Sequence, residues 1–381
     1  MERLSGGDTK QSVRRACLVR LGGMGDILLA TPAARALCGH FDGLELDFIV
    51  GRGMRDALAG IPYIRRIVEF DKNGPDAQPA GFFRFLDALR RERYDLFLNF
   101  HPSVKTVLMA TASRAPRVIT FRKDRRRQPD TGRVRHGVDD FTKELRPLGI
   151  KRVEDRRLDF FVPPEAHRRV AEMLQAERIA PGDTLVTVNP AATRDINRWP
   201  PDKFVGFFDT FAAHAPDVRF ALSGGPGDLD LAADIAGRTR ASVVNFAGRV
   251  SIKELGALLA RSNVVVSADT GPMHIASAVG APLVVLSGAA DPDRTGPLNP
   301  RDLVVIKRDL PCVPCQGRFC RRGDIACMTQ MPVEWVVRAV KRRLDLTLRP
   351  TTPGHGRHGL AGARPQVEEG VEEVSLEVSV S

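Results

Sequence analysis

The sequence has no apolar run approaching the ~20 residues that an α-helix needs to cross a bilayer. Its first 15 residues are polar and charged and lack the apolar centre of a secretory signal. Residues 1–11 are expected to be a disordered leader. These features exclude a membrane-spanning class and lead us to expect a cytosolic protein.

Tryptophan and tyrosine are also scarce, with two of each in 381 residues. The formal net charge is nevertheless +11, which predicts an acidic partner. Between positions 114 and 157 we count 15 Lys/Arg against 7 Asp/Glu. No aromatic residues alternate with these cations to stack on bases, so nucleic acid is not the expected partner. A solvated loop is the alternative to a binding surface here.

Apolar strands alternate with helical segments along most of the chain, which predicts parallel sheets covered by helices. The alternation stops near Leu158 and then restarts. We therefore predict an α/β protein with two domains, residues 12–160 and residues 161–346. Residues 347–381 are rich in Gly, Pro, Glu and Ser, which predicts a disordered tail. Two such halves favour a ligand site at the carboxyl ends of their strands.

The turn at residues 22–26, GGMGD, follows the first predicted strand and opens a helix predicted over residues 27–37. A dinucleotide fingerprint G-x-G-x-x-G starting at Gly23 would need a third glycine where Leu28 stands. The phosphate loop G-x-x-x-x-G-K-[ST] is absent as well. The turn instead places Asp26 at a strand-to-helix corner, as either a helix cap or a general base.

A second corner lies at residues 264–280, where an apolar strand runs into a short helix that ends at Gly280. Asp269 or Thr270 is expected to cap this helix, and Pro272 suits its first turn. Free N–H groups and the positive end of the helix dipole make such a corner favourable for phosphate. An ordinary structural corner is the alternative.

These two segments carry a resemblance to a known family. Residues 20–32 (RLGGMGDILLATP) resemble the N-terminal signature of the bacterial family 9 glycosyltransferases, the ADP-heptose:lipopolysaccharide heptosyltransferases. Residues 269–276 (DTGPMHIA) resemble the C-terminal donor motif of that family. Shorter matches fall in family order at residues 93–96, 136–139, 198–200 and 296–297. The resemblance covers roughly residues 13–345.

The family resemblance implies a GT-B fold, with two Rossmann-like parallel-sheet domains facing across a cleft and a final helix that returns to the N-terminal domain. It implies inverting sugar transfer without a catalytic metal, with Asp26 as the base. Asp269 is implied to contact donor hydroxyls, Thr270 and Gly271 to bind phosphate, and His274 to reach the phosphate or pack against the loop. The remaining implied residues are Asn189, Thr193, Arg198 and Gly224 for the donor, and Gly23, Met24, Gly25, Arg122 and Lys123 for the acceptor.

Two positions depart from the family pattern. Many relatives carry a Lys two residues before the Trp-Pro pair, where this chain has Asn197 followed by Arg198. Arginine and lysine differ in geometry, so Arg198 is only a candidate substitute. Relatives often end the fourth strand with Asp-x-Gln, where this chain has Asn99-Phe100-His101. The second departure concerns the acceptor more than the reaction.

Four cysteines form a compact group, spaced Cys312-x2-Cys315-x4-Cys320-x6-Cys327. In a cytosolic protein this density favours a metal over disulfides. Structural Zn or Fe would suit four thiolates, and unliganded thiols are the alternative.

The predicted function is transfer of a heptose or related sugar from ADP-heptose to an anionic glycolipid acceptor, the lipopolysaccharide inner core. The predicted location is cytoplasmic, with peripheral contact at the inner membrane surface. The alternatives are a protein O-heptosyltransferase and a non-catalytic nucleotide-sugar binding protein.

Overall fold

A computed structural model describes residues 13–124, 126–129, 132–348 and 366–368. The predicted leader, residues 1–11, and most of the predicted tail lie outside these residues. The chain divides into two compact units. The first comprises residues up to 123 together with 138–153, and the second comprises 124–137 and everything from 154 onward. The predicted boundary was residue 160; by internal contacts the continuous part of the second unit begins at residue 154, and residues 124–137 also belong to that unit.

The first unit is a five-stranded parallel sheet in the order β3-β2-β1-β4-β5. Its strands are β1 Arg15–Arg20, β2 Glu45–Gly51, β3 Ile64–Phe70, β4 Leu96–Asn99 and β5 Arg117–Thr120. Its helices are α1 Met24–Leu28, α2 Thr31–His40, α3 Pro79–Arg91, α4 Val104–Ser113 and α5 Gly137–Thr142, the last beginning at the unit boundary. Short 3₁₀ turns lie at Arg55–Ala57, Pro75–Ala77 and Lys143–Leu148.

The second unit contains a seven-stranded parallel sheet in the order β12-β11-β10-β9-β6-β7-β8. Its strands are β6 Leu185–Asn189, β7 Arg219–Leu222, β8 Val243–Asn245, β9 Val264–Ala268, β10 Leu283–Ser287, β11 Leu303–Ile306 and β12 Gln366–Glu368. Its helices are α6 Pro164–Ala176, α7 Pro201–His214, α8 Leu229–Arg238, α9 Ile252–Arg261, α10 Gly271–Ala278, α11 Pro292–Thr295, α12 Ala326–Thr329 and α13 Val333–Leu348. Two 3₁₀ turns lie at Asp195–Asn197 and Pro226–Asp228.

Each sheet has one place where the chain reverses its direction of progress through the strand order. In the first unit this switch point lies between β1 and β4, and in the second it lies between β6 and β9. The loops leaving two such strands diverge to opposite sides of the sheet, which opens a crevice at their carboxyl ends. Ligands of open parallel sheets bind in that crevice. The two predicted corners follow β1 and β9, so both lie at switch points.

The final helix, α13, was expected to return to the N-terminal domain, and the structure instead places it within the second unit. Its apolar face, which includes Val336 and Val340, packs in the same core as the α7 phenylalanines. A buried ion pair secures it, with Arg343 Nη2 3.3 Å from Asp302 Oδ1. Burial raises the pKa of Asp302 to about 7 and lowers the pKa of Arg343. Removing either partner would leave a buried charge without compensation.

Local signals account for several element boundaries. The single helix expected over residues 27–37 is two helices, because Pro32 occupies the first turn of α2, where its missing N–H costs least. A capping box begins α9, with Ser251 and Glu254 each bonded to the backbone of the other. Strand β12 pairs with β11 inside the tail that was expected to be disordered.

Candidate active site

The first corner is built by the tight turn between β1 and α1. Asp26 lies in the first turn of α1, and its side chain is 47% exposed. A Cβ atom on Gly22 would lie 2.6 Å from Asp26 Oδ2, closer than non-bonded atoms approach. Position 22 therefore has to be glycine for the carboxylate to fold back over the turn.

Arg20, the last residue of β1, holds the Asp26 carboxylate in place. Its Nη2 lies 2.6 Å from Asp26 Oδ1, and its Nη1 donates to the Phe100 carbonyl at 2.8 Å. The guanidinium also stacks over the Phe141 ring, 5.2 Å from the ring centre. One planar cation thus connects the α1 turn to the loop after β4, across the switch point. Arg20 is the first residue of the N-terminal motif, which by itself predicts no role for it.

The loop after β4 contributes His101 to the same corner. The His101 side chain is partly buried, and its backbone carbonyl accepts a hydrogen bond from Thr106 Oγ1 at 2.6 Å. Burial, followed by the positive charge of Arg20, lowers the pKa of His101, while the Asp26 charge opposes the shift. The lowered pKa favours the neutral imidazole, which lies within electrostatic range of the candidate base. The sequence gives one indication that His101 belongs to the site, since it stands where relatives often carry glutamine.

The predicted acceptor residues fall into two groups on this unit. Gly23, Met24 and Gly25 form the turn that carries Asp26, and a Cβ on Gly23 would meet no atom within 4 Å. The turn therefore presents an open side. Arg122 and Lys123 follow β5 and are exposed. Strands lie ~4.8 Å apart, so the end of β5 is about 10 Å from the end of β1 at the same sheet edge.

The second corner places Asp269 between β9 and α10. Thr295 Oγ1 donates to Asp269 Oδ2 at 2.5 Å, and His274 Nε2 lies 3.6 Å from Asp269 Oδ1. His274 is buried, so its ring faces the aspartate from inside the fold. This arrangement accords with His274 supporting Asp269, and a direct role at the phosphate stays a prediction. Thr295, on α11, was not anticipated from the sequence.

Thr270 and Gly271 begin α10 as predicted. Thr270 occupies the N-cap position, and its hydroxyl bonds to the Ala268 carbonyl rather than capping the helix. The first N–H groups of an α-helix have no partner within the helix. With Pro272 carrying no N–H, the backbone donors of Gly271 and Met273 are the ones placed to bind an anion.

Two more predicted donor residues lie at the ends of neighbouring strands. Asn189 ends β6 and is buried, and its Nδ2 donates to both the carbonyl and the hydroxyl oxygen of Ser223 at 3.2 Å. Among the described residues, its Oδ1 has no hydrogen-bond partner. A Cβ on Gly224 would lie 3.0 Å from Asp228 Cβ, which explains the need for glycine beside this site.

The loop after β6 carries the remaining donor candidates. Thr193 is exposed. Arg198 is partly exposed, and its guanidinium bonds to the Ala192 carbonyl at 3.2 Å and contacts Asp195 Oδ1 at 3.3 Å. Asn197 is buried beside it. Arg198 thus braces its own loop, and its substitution for the family lysine stays a prediction.

The cysteine segment lies against this donor loop. Arg194 Nη1 donates to the Gly317 carbonyl at 3.2 Å, and Gln316 N donates to the Ala289 carbonyl at 2.7 Å. A Cβ on Gly288 would lie 2.9 Å from Cys327 Sγ. The segment between the first and last cysteine is therefore attached to the loops that follow β6 and β10.

The four thiols lie close enough to affect one another. Burial, and then the nearby thiols of Cys315, Cys320 and Cys312, raise the pKa of Cys327 to about 11. A hydrogen bond from the Ile325 backbone, with further ones from neighbouring N–H groups, lowers the pKa of Cys320. Within the residues that the structure describes, no three His, Cys, Asp or Glu side chains are arranged to hold a metal ion.

Two Rossmann-like parallel-sheet units are the components of the GT-B fold. A crystal structure of a family 9 glycosyltransferase from Veillonella parvula shares this fold, with a TM-score of 0.76 and 21% identity over 87% of this chain and 98% of that one. The E. coli heptosyltransferase WaaC with ADP has a TM-score of 0.62 and 18% identity, covering 87% and 99%.

Sequence comparison agrees with the fold. The lipopolysaccharide core heptosyltransferase OpsX of Haemophilus influenzae is 23% identical over 304 residues, 77% of this chain and 85% of that protein. The family model for glycosyltransferase family 9 (heptosyltransferase) matches residues 82–326. The chain therefore belongs to glycosyltransferase family 9, and the predicted family and fold class are confirmed. Among the described helices, none has the length and apolar character needed to span a membrane.

Proposed function

We propose that this chain transfers a heptose from ADP-heptose to the inner core of lipopolysaccharide, with inversion at the anomeric carbon. The observation that carries the proposal is the Asp26 carboxylate at the β1–β4 switch point, half exposed and oriented by Arg20. Comparison with other proteins supports the proposal, because the chain belongs to glycosyltransferase family 9 and its relatives OpsX and WaaC are named as heptosyltransferases.

In the proposed reaction, Asp26 accepts the proton of the attacking acceptor hydroxyl. The hydroxyl oxygen forms a bond to the anomeric carbon on the face opposite the diphosphate. The bond from that carbon to the diphosphate oxygen breaks, and ADP departs with the electron pair. A single displacement of this kind inverts the anomeric configuration. General-base catalysis by a positioned carboxylate contributes roughly 10²–10⁴-fold.

The second corner is proposed to bind the donor. The Gly271 and Met273 N–H groups would donate to the diphosphate and stabilise the charge that develops on the leaving ADP. Asp269, held by Thr295 and His274, would accept hydrogen bonds from donor hydroxyls. The Asn189 Oδ1 atom is a further buried acceptor at this edge. This scheme requires no catalytic metal.

Purified full-length protein with ADP-heptose and heptose-deficient lipopolysaccharide should release ADP, and Asp26→Asn should lower kcat by at least ~10²-fold. Asp42→Asn is a matched control, since Asp42 is exposed on the same unit outside the corner. NMR of the product should show the inverted anomer. Turnover with a protein acceptor alone would favour protein O-heptosylation, and ADP binding without release would favour a non-catalytic binding protein.

We also propose a cytoplasmic location with peripheral contact at the inner membrane surface, because the lipopolysaccharide acceptor is lipid-anchored and the chain carries a net charge of +11. Fractionation of cells expressing the full chain should recover part of it with inner membranes, in a form that high salt releases. Recovery with the membrane that resists salt would contradict electrostatic contact.

A structural Zn or Fe at the four cysteines is a further proposal. Four thiols within 16 residues of the sequence are a donor set that suits either metal, and binding would require them to move from the described arrangement, in which no three hold a metal. The bound metal would supply a cross-link that orders the segment against the donor loop, with no role in a chemical step. Elemental analysis of purified protein should find about one equivalent of metal, lost in a Cys315→Ser/Cys320→Ser variant. A protein free of metal after anaerobic purification from supplemented medium would refute this proposal.

A further inference from the structure

Helix α4 has an apolar face that the first unit does not bury. Val104, Val107 and Leu108 are exposed, the first of them to 79%, and Thr111 continues the same side of the helix. The spacing i, i+3, i+4, i+7 places these four residues in one stripe. The opposite side, Thr106, Met109, Ala110 and Ser113, is buried against the sheet. We call the exposed set the α4 stripe.

Two neighbouring elements also expose apolar side chains. Helix α3 packs against α4, and its Phe83 is 71% exposed. Strand β5, which follows α4 and forms the edge of the sheet, exposes Val118. A surface helix of a monomeric protein normally turns polar residues outward, so clustered exposed aliphatic and aromatic side chains indicate a contact surface.

The segment that carries the α4 stripe is basic. Residues 103–123 contain five cations and no Asp or Glu: Lys105, Arg114, Arg117, Arg122 and Lys123. Exposed apolar side chains framed by Lys and Arg are the pattern of a helix that lies in the interface of an anionic membrane. A purely apolar protein partner would have no need of this excess of cations.

The α4 stripe lies beside the candidate base. Thr106, in the first turn of α4, bonds to the His101 carbonyl at 2.6 Å, and the neighbouring Phe100 carbonyl accepts from Arg20, which holds Asp26. Helix α4 begins at the carboxyl edge of the sheet, the edge where Asp26 lies. A surface seated at this place would bring its headgroups near the base.

We propose that the α4 stripe docks this protein on an anionic lipid surface, with the apolar side chains in the interface and the flanking cations at lipid phosphates. This inference rests on the proposed function for its purpose, because a lipid-anchored acceptor would then meet Asp26 at the membrane. The contact lies on the surface and involves no spanning segment.

Co-sedimentation with vesicles tests the proposal. Full-length protein should bind vesicles of phosphatidylcholine with about one-third phosphatidylglycerol, more weakly at high salt. Val104→Glu/Leu108→Glu should weaken that binding about tenfold or more, by adding two anions and removing apolar contact. Leu229→Glu is the matched control, since Leu229 is 49% exposed on α8 of the other unit, and it should bind within about twofold of wild type.

Binding by the double variant equal to wild type, or an equal loss in Leu229→Glu, would overturn the proposal. So would a wild-type protein that ignores anionic vesicles and forms a dimer that the double variant abolishes, which would identify the α4 stripe as an interface between copies.

Activity separates this inference from the proposed function. The double variant should retain ADP release with a deacylated, soluble acceptor and lose it with the same core displayed on anionic vesicles. Wild-type protein that is inactive on both acceptors would refute the proposed function, whereas its vesicle binding would still decide the docking surface. Equal activity of the variant and wild type on vesicle-displayed acceptor would count against docking through α4.

Discussion

Replacement of Arg20 by methionine is the sharpest test of how the corner works. Arg20 makes two contacts at once, to Asp26 Oδ1 at 2.6 Å and to the Phe100 carbonyl at 2.8 Å. Methionine keeps the apolar packing against Phe141 and removes both. The carboxylate then loses its orientation relative to the acceptor hydroxyl, although the base itself is still present.

The expected loss follows from the strength of these contacts. Hydrogen bonds to charged groups contribute about 1.5–3 kcal/mol, and the low end applies because the Asp26 side chain is 47% exposed. A loss of ~1.5 kcal/mol is about tenfold, and misplacement of a catalytic group by ~1 Å costs up to about 10²-fold. We expect kcat to fall about 10- to 100-fold, with KM for ADP-heptose little changed, because the donor corner belongs to the other unit.

The assay is steady-state ADP release, with the melting temperature checking the fold. Arg15→Met is the control, since Arg15 lies on the same strand and pairs with Glu45 at 3.0 Å, at the opposite end. Arg20→Lys should recover part of the activity, because a lysine can make one of the two contacts. Asp26→Asn combined with Arg20→Met should be no slower than Asp26→Asn alone, since Arg20 acts through the carboxylate.

An independent readout comes from His101. Because the charge of Arg20 helps to lower the pKa of His101, Arg20→Met should raise that pKa, while burial keeps it below the ordinary value of about 6.5. Histidine NMR titration measures the shift directly. Activity of Arg20→Met within twofold of wild type, or losses that add fully to those of Asp26→Asn, would refute the positioning role.

Three further predictions concern the rest of the molecule. Gly22→Ala should lower kcat about tenfold or more at unchanged stability, because its Cβ would displace the base, whereas Gly23→Ala should be tolerated. Asp302→Asn should lower the free energy of unfolding in denaturant by about 3 kcal/mol, because it leaves the Arg343 charge buried without a partner. Adding Arg343→Met to that variant should restore much of the lost stability. A double variant no more stable than Asp302→Asn would contradict this reasoning. His274→Ala should weaken ADP binding about fivefold in calorimetry, and unchanged binding would show that the Asp269 geometry does not depend on it.

Local sequence signals predicted most of the parallel sheets and both corners, because glycine, proline and short apolar runs act over a few residues. They did not predict a helix whose two sides have similar polarity. Helix α4, VKTVLMATAS, carries both apolar and hydroxyl side chains on its outer side and on its inner side, so no amphipathic period marks it. The same property that concealed the helix from prediction makes its outer face a candidate contact surface.

Long-range pairings were the second kind of failure. The final helix has an apolar face that would suit either unit, and its place is fixed by a buried pair, Arg343 and Asp302, 41 residues apart. Arg20 and Phe100 are 80 residues apart, and no local motif connects them. Strand β12 was missed because three residues in a Gly- and Pro-rich tail carry too little pattern to predict a strand.

The two aspartates show what a motif leaves undetermined. Each motif predicts a carboxylate at a strand-to-helix corner, yet each carboxylate is oriented by partners from other elements or from inside the fold. Arg20 and the β4 loop orient Asp26, while Thr295 on α11 and the buried His274 orient Asp269. A relative that keeps both motifs and changes the partners outside them, the β4 loop and Thr295, would retain the reaction type with altered rate or donor affinity. These partners outside the motifs are therefore positions at which activity within this fold can be tuned.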